Sequence, residues 1–178
     1  MSKSAAKKQD QDQMSWQPGT ASLHQLILDR ILKDNPIATA YRINYIANFF
    51  VGPLVAEMEK SFALTRPEWI VLFCLTRQPR LNAQQISTVT GRPKTSISGA
   101  IRQLQEKKLI TRKVDIADSR RRVLLLTDAG RSIYESIIGG FIAREADMLA
   151  SLNASERQLL IKLLDKIIKS DRNWAKPY

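Results

Sequence analysis

The chain has 178 residues, 44% hydrophobic and 25% charged, close to the soluble globular average, so neither a disordered nor a membrane protein fits the whole. Its longest unbroken apolar stretch, Trp69 to Leu75, is too short to span a bilayer. The first twenty residues lack an apolar signal core, so the expected location is cytoplasmic. Residues 77–122 hold 12 Lys and Arg against 3 acids, +9 of the total +11, and something anionic should meet that segment.

Residues 1–20 are polar, with too little apolar surface to offset the entropy of ordering, and read as a flexible tail. Leu23, Leu26, Ile27 and Ile31 then make a short amphipathic helix over 22–33. Asn35-Pro36 reads as N-cap and first turn of a second helix bearing Tyr41, Tyr45, Phe49 and Phe50. Gly52-Pro53 is expected to kink or interrupt it, with helix resuming over 54–62. Thr65-Arg66-Pro67-Glu68 forms a capping box ahead of the Trp69–Leu75 run.

Asn82 and Gln85 cap a further short helix carrying Ile86 and Val89, which Thr90-Gly91 ends. Pro93 starts the next element, with Ile97, Ala100, Ile101 and Leu104 at helical spacing; two short helices joined at a glycine turn make a helix-turn-helix. An alternating strand over 109–115, a basic turn over 116–121 and a returning strand over 122–127 complete a winged helix. Thr127 opens a long helix whose Gly139-Gly140 calls for a bend or a close helix contact. A last helix from about Ser155 carries Leu159, Leu160, Ile161, Leu163, Leu164, Ile167 and Ile168, a wider apolar face than a lone surface helix needs. That face asks for a partner.

The predicted fold is mainly α with a small β-hairpin wing. A tail at 1–20, N-terminal helices at 21–62, a winged helix-turn-helix at 63–127, C-terminal helices at 128–170 and a tail at 171–178 make up the chain. With Ile97 and Ile101 turned inward, steps of about 100° per residue bring Thr95, Ser98, Gly99, Arg102 and Glu106 outward, with Lys94 and Ser96 at the margins. Short hydroxyls and an arginine suit base edges and phosphates; the plainer reading is a solvated helix face.

The text from Leu81 to Arg112, followed by Asp118-Ser119-Arg120 six residues ahead of Leu126-Thr127 and Gly130, resembles the MarR family of bacterial transcriptional regulators. The resemblance covers about residues 38–168. It implies an obligate homodimer interlocked through its N- and C-terminal dimerisation helices, with one winged helix per subunit on a pseudo-palindromic operator of double-stranded DNA. It also implies a small aromatic acid or phenol between dimer helices and DNA-binding lobe. Asp118 and Arg120 should pair to shape the wing, while Arg120, Arg121 or Arg122 extends toward a minor groove whose narrow A·T tracts attract arginine. Gly99 departs from the family, where a larger residue is common.

Tyr41, Tyr45 and Trp69 are candidate effector contacts, with Arg42 for carboxylate capture; aromatics at helical spacing more often belong to a core. Cys74 sits in an apolar run as a packing residue, and a thiol switch there is the alternative. His24 reads as a surface or packing residue. One cysteine and one histidine exclude a disulfide framework and a Cys/His zinc site. No phosphate-binding glycine loop or nucleophile–histidine motif supports an enzyme, and no cofactor is expected. The reading is a ligand-responsive regulator, most often a repressor, sensing a hydroxybenzoate-like or nicotinate-like acid; the alternative is an effector-independent or architectural DNA-binding protein.

Overall fold

A computed structural model describes residues 22–115 and 120–170. The expected tails at 1–20 and 171–178, and the Asp118–Arg120 pair, lie outside the described residues. Two compact units divide the chain between Asn48 and Phe49, well before the expected boundary at residue 62.

The first unit holds α1 (Leu23–Lys33) and the start of α2 (Ala38–Phe62). Ser22 accepts from the Gln25 amide to cap α1, and none of α1's residues is buried. Helix α2 begins two residues later than Pro36 suggests. The Asn35 side chain accepts from the Ile37 amide at 2.9 Å, a local turn that competes with helix and delays its onset.

The second unit comprises the rest of α2, then α3 (Arg66–Arg77), α4 (Ala83–Thr90), α5 (Lys94–Glu106), β1 (Ile110–Val114), β2 (Arg122–Leu126), α6 (Asp128–Met148) and α7 (Ala154–Lys169). Contrary to expectation, α2 runs through Gly52-Pro53 without a break. Proline supplies no N–H to the carbonyl four residues back, here Phe49. Arg144 of α6 takes the place of the missing N–H: its Nη2 donates to Phe49 O and its Nε to Phe50 O, the latter at 2.8 Å. The close helix contact expected at Gly139-Gly140 falls on Gly140, where Leu54 Cδ2 lies 3.6 Å from a would-be Cβ; α6 is continuous there.

The core gathers Met58, Leu64, Leu72, Ile86, Ile97, Leu104 and Ile110. Asn82 and Gln85 cap α4 reciprocally, each bond 2.9 Å, and Gly91 ends it at φ 64°, a left-handed turn that favours glycine. Strands β1 and β2 pair antiparallel with Arg112 opposite Leu124 and Val114 opposite Arg122. The far edge of β2 is held too, since Arg80 N donates to Leu124 O (3.1 Å) and Leu124 N to Leu81 O (2.9 Å). The wing is thus bonded to the loop between α3 and α4.

Thr127 fastens the base of the wing to α6. Its hydroxyl accepts from Gly130 N and meets the carbonyls of Lys108 and Leu109 at 2.9 and 3.0 Å. A Cβ at Gly130 would collide with Leu109 O and come within 2.9 Å of Leu126 Cδ2, which explains glycine three residues after the threonine. Helix α7 is capped by Asn153 and Glu156 yet has no buried residue. Among the described residues no helix is long and apolar enough to cross a membrane.

Candidate nucleic-acid interface

Helix α5 buries Ile97, Ala100, Ile101 and Leu104, so its remaining faces are set by geometry. Lys94, Thr95, Ser98, Arg102 and Glu106 are exposed, while Ser96 and Gly99 are half-buried. Arg102 lies 3.9 Å from Glu106, an exposed pair one turn apart that contributes little and leaves the arginine available.

The basic segment sorts into cations that hold the fold and cations that face a groove. Arg80 is bound to Asp115 at 3.1 Å, pinning the wing's first strand to the loop that already bonds its second. Lys107 donates to Glu68 at 2.5 Å and to Ala63 O at 2.7 Å. Glu68 is 1% exposed and also accepts from the Thr65 amide and hydroxyl, both at 2.8 Å. Burial pushes its carboxyl up, but Lys107 and Thr65 outweigh that and hold it below its usual 4.5. Arg77 lies over the Phe73 ring at 5.8 Å.

Lys94, Ser98 and Arg102 of α5 face Arg112 and Arg122 of the wing across a groove of about 480 Å³, whose far end is the start of α4 at Asn82 and Gln84. Four cationic side chains from three elements converge there. Arg112 was not among the residues the sequence pointed to, although a signal existed. The register sets residues 112 and 114 opposite 124 and 122, and side chains of paired residues share a face, so choosing Arg122 implied Arg112. At the tip of the wing Arg120 and Arg121 are exposed, and Arg121 O accepts from Asp115 N at 2.9 Å.

The other candidates lie apart from this groove. In the first unit Tyr41 and Tyr45, ring centroids 6.4 Å apart, line an apolar cleft of about 420 Å³ with Leu23, His24, Ile27 and Ile31 of α1. His24, read from the sequence as a surface or packing residue, joins that lining. Arg42 does not hold its guanidinium fork free, since it donates to Ala38 O and Leu32 O at 3.0 and 3.2 Å. Trp69 is 6% exposed and stacked on Phe141 and Tyr134, with centroids at 4.6 and 5.4 Å; the structure makes it a core residue of the second unit. Cys74 is half-buried and its thiol is pushed up by burial, which suppresses the reactive thiolate. Among the described residues no group of three potential ligands could hold a metal.

Residues 64–121 match the MarR family, a span from the last turn before α3 to the tip of the wing. The transcriptional regulator HosA of Escherichia coli O157:H7 is 24% identical over 107 residues, 60% of this chain and 79% of its own. The structure is similar to that of Staphylococcus aureus MepR in a DNA complex, at 25% identity and a TM-score of 0.66, covering 76% of this chain and 98% of MepR. Bordetella bronchiseptica BpsR, whose DNA binding is regulated by 6-hydroxynicotinic acid, shares the fold at 23% identity and a TM-score of 0.64, over 75% and 94% of the two chains. The winged helix, the matched segment and these relatives together make the chain similar to DNA-binding transcriptional regulators of the MarR family.

Proposed function

We propose that the protein is a homodimeric, sequence-specific regulator, acting as a repressor, that sets α5 in the major groove of each operator half-site and the wing arginines in the flanking minor groove. The observation that carries this reading is the convergence of Lys94, Arg102, Arg112 and Arg122 on one groove. Thr95, Ser98 and Gly99 lie along the helix face that leads into it. Recruitment of a second copy is supported by α7, where Leu159, Ile161, Leu163 and Ile168 are each at least half exposed. Apolar surface of that extent on one helix favours burial against a partner.

The effector belongs to the aromatic acids or phenols, of the hydroxybenzoate-like or nicotinate-like kind. The cleft with Tyr41, Tyr45 and His24 supports it: an apolar slot with hydroxyls and an imidazole suits a planar ring with one polar end. The regulation of BpsR by 6-hydroxynicotinic acid is a chemical precedent. Genome-wide mapping of bound sites, followed by titration of aromatic acids onto the operator complex at fixed salt, tests both parts. Inverted repeats spaced by one helical turn and release by an aromatic acid are expected. Binding without release by any such acid favours an effector-independent regulator.

A further inference from the structure

Gly99 is the sixth of the thirteen residues of α5, a mid-helix position where glycine is unfavourable because it loses more backbone freedom than alanine and adds nothing to the packing. A glycine is ordinarily explained by a positive φ or by a neighbour too close to admit a Cβ. Gly91 has the first reason, at φ 64°, and Gly130 the second, against the Leu109 carbonyl. Gly99 has neither. Its φ lies outside the left-handed region, and a Cβ built on it would meet nothing within 4 Å.

Its place on the helix is specific. The buried residues Ile97, Ala100, Ile101 and Leu104 define the inward direction, and steps of about 100° per residue put Gly99 within about 30° of the opposite pole. Thr95 stands one turn before it and Arg102 one turn after it on the same line, both exposed. Gly99 itself is half-buried, so the face has a dip at its centre. Open space reaches that dip from the flank away from the wing, where Gly99, Ser96 and Gln103 line a groove of about 450 Å³ whose far side is the turn at Ala63 and Thr65. Gly52 and Gly139 also meet nothing, but they lie in α2 and α6 and line neither groove of α5.

We propose that Gly99 determines sequence specificity through the side chain it lacks: the bare backbone lets α5 settle onto the base edges of the major groove and brings Thr95 and Arg102 within reach of them. This rests on the DNA-binding reading above. A major groove about 12 Å wide and about 8.5 Å deep admits a helix of about 10–12 Å with little to spare, so one carbon at the pole of the inserted face sets how far the helix sinks. The long side chains of Lys94, Arg112 and Arg122 can follow a small shift and keep their phosphates, whereas the short Thr95 hydroxyl cannot follow it to a base. A glycine that weakens the free helix is thereby accounted for by the bound state.

The test uses the full chain, an operator duplex that it selects from random sequence, and a mixed-sequence duplex of equal length at the same salt. In Gly99→Ala the melting temperature holds or rises, by about 2–4 °C, because the best helix former replaces a poor one. Operator affinity nevertheless falls by about tenfold or more, the loss of one well-placed base contact, while mixed-sequence affinity, which phosphates supply, changes by less than about twofold. A second selection, with Gly99→Ala, returns a different preferred sequence at the centre of each half-site. An unchanged operator affinity overturns the proposal, and so does an equal loss on both duplexes, which makes the position one of general backbone contact. A lowered melting temperature overturns it as well, by giving Gly99 a reason inside the fold. If the unaltered protein selects no preferred sequence, the sequence-specific DNA reading falls, and this inference with it.

Discussion

The helices of the winged-helix lobe and the terminal helices α1 and α7 carry apolar residues at the same helical period, yet they end in opposite environments. Leu72, Ile86, Ile97 and Leu104 are fully buried, whereas Leu163 is 50% and Ile161 60% exposed. Neither α1 nor α7 buries a residue. The lobe satisfies its own apolar surface because helices, hairpin and turns close around it from several directions. The terminal helices present a face that one chain leaves open, so periodicity alone signals that a face will be covered and says nothing of what covers it. Their stability should therefore depend on protein concentration while the lobe's does not.

The largest expected effect removes Lys107, whose ammonium at the end of α5 is paired with the buried Glu68 of α3. Lys107→Met leaves Glu68 uncompensated in the core and should cost about 3–5 kcal/mol of stability, measured by denaturant unfolding, whereas Lys107→Met/Glu68→Gln should recover much of it. Because the folded carboxyl lies below 4.5, its contribution is present above the unfolded value and is lost as pH falls through the folded one. Stability of the unaltered protein should accordingly drop below about pH 5 more steeply than that of Glu68→Gln, and parallel acid profiles would remove this assignment.

Next in size, Leu72→Ala should destabilise the lobe by about 2–5 kcal/mol at any protein concentration. Leu163→Ala should leave dilute protein nearly unchanged and lower its melting temperature only where copies associate. Equal, concentration-independent losses for the two would erase the contrast between lobe and terminal helix. Gly130→Ala forces the first turn of α6 off the Leu109 carbonyl, an overpacking cost of about 1–3 kcal/mol, and should loosen the wing as seen by hydrogen exchange at Ile110 and Leu124. Smallest in stability and confined to function, Arg102→Ala and Arg112→Ala should each leave the melt unchanged. Arg102→Ala is expected to relax sequence preference by about 1–3 kcal/mol if it reads a base, and Arg112→Ala to lower the salt slope by about one.

Much of the lobe was legible because its signals are short-range. The Asn82–Gln85 cap, the Gly91 turn and the threonine that opens α6 each act over a few residues, and the structure forms them where the sequence places them. The hairpin forms too, but burial along its strands does not alternate as expected, because Val123 and Leu124 are both buried. The misreadings share a cause of the opposite kind. Pro53 was expected to disturb α2, but the guanidinium that takes up the freed Phe49 carbonyl is Arg144, 95 residues on. Trp69, for which the sequence left core and ligand contact both open, takes its core partners Tyr134 and Phe141 from α6, far along the chain.

The charge of the basic segment shows the same division residue by residue. Its excess of +9 and its position on a winged helix are properties of the sequence, fixed by composition and local periodicity, and they suffice to direct it toward an anionic partner. Which cations remain for that partner is a tertiary matter, because Arg80 is spent on Asp115, 35 residues away, and Lys107 on Glu68, 39 residues away. Arg112 and Arg122 come to face Lys94 and Arg102 only when the hairpin folds back on α5. Local backbone preferences are written in neighbouring residues, whereas a side chain's partner is settled by which distant groups the packed core brings within a few ångströms.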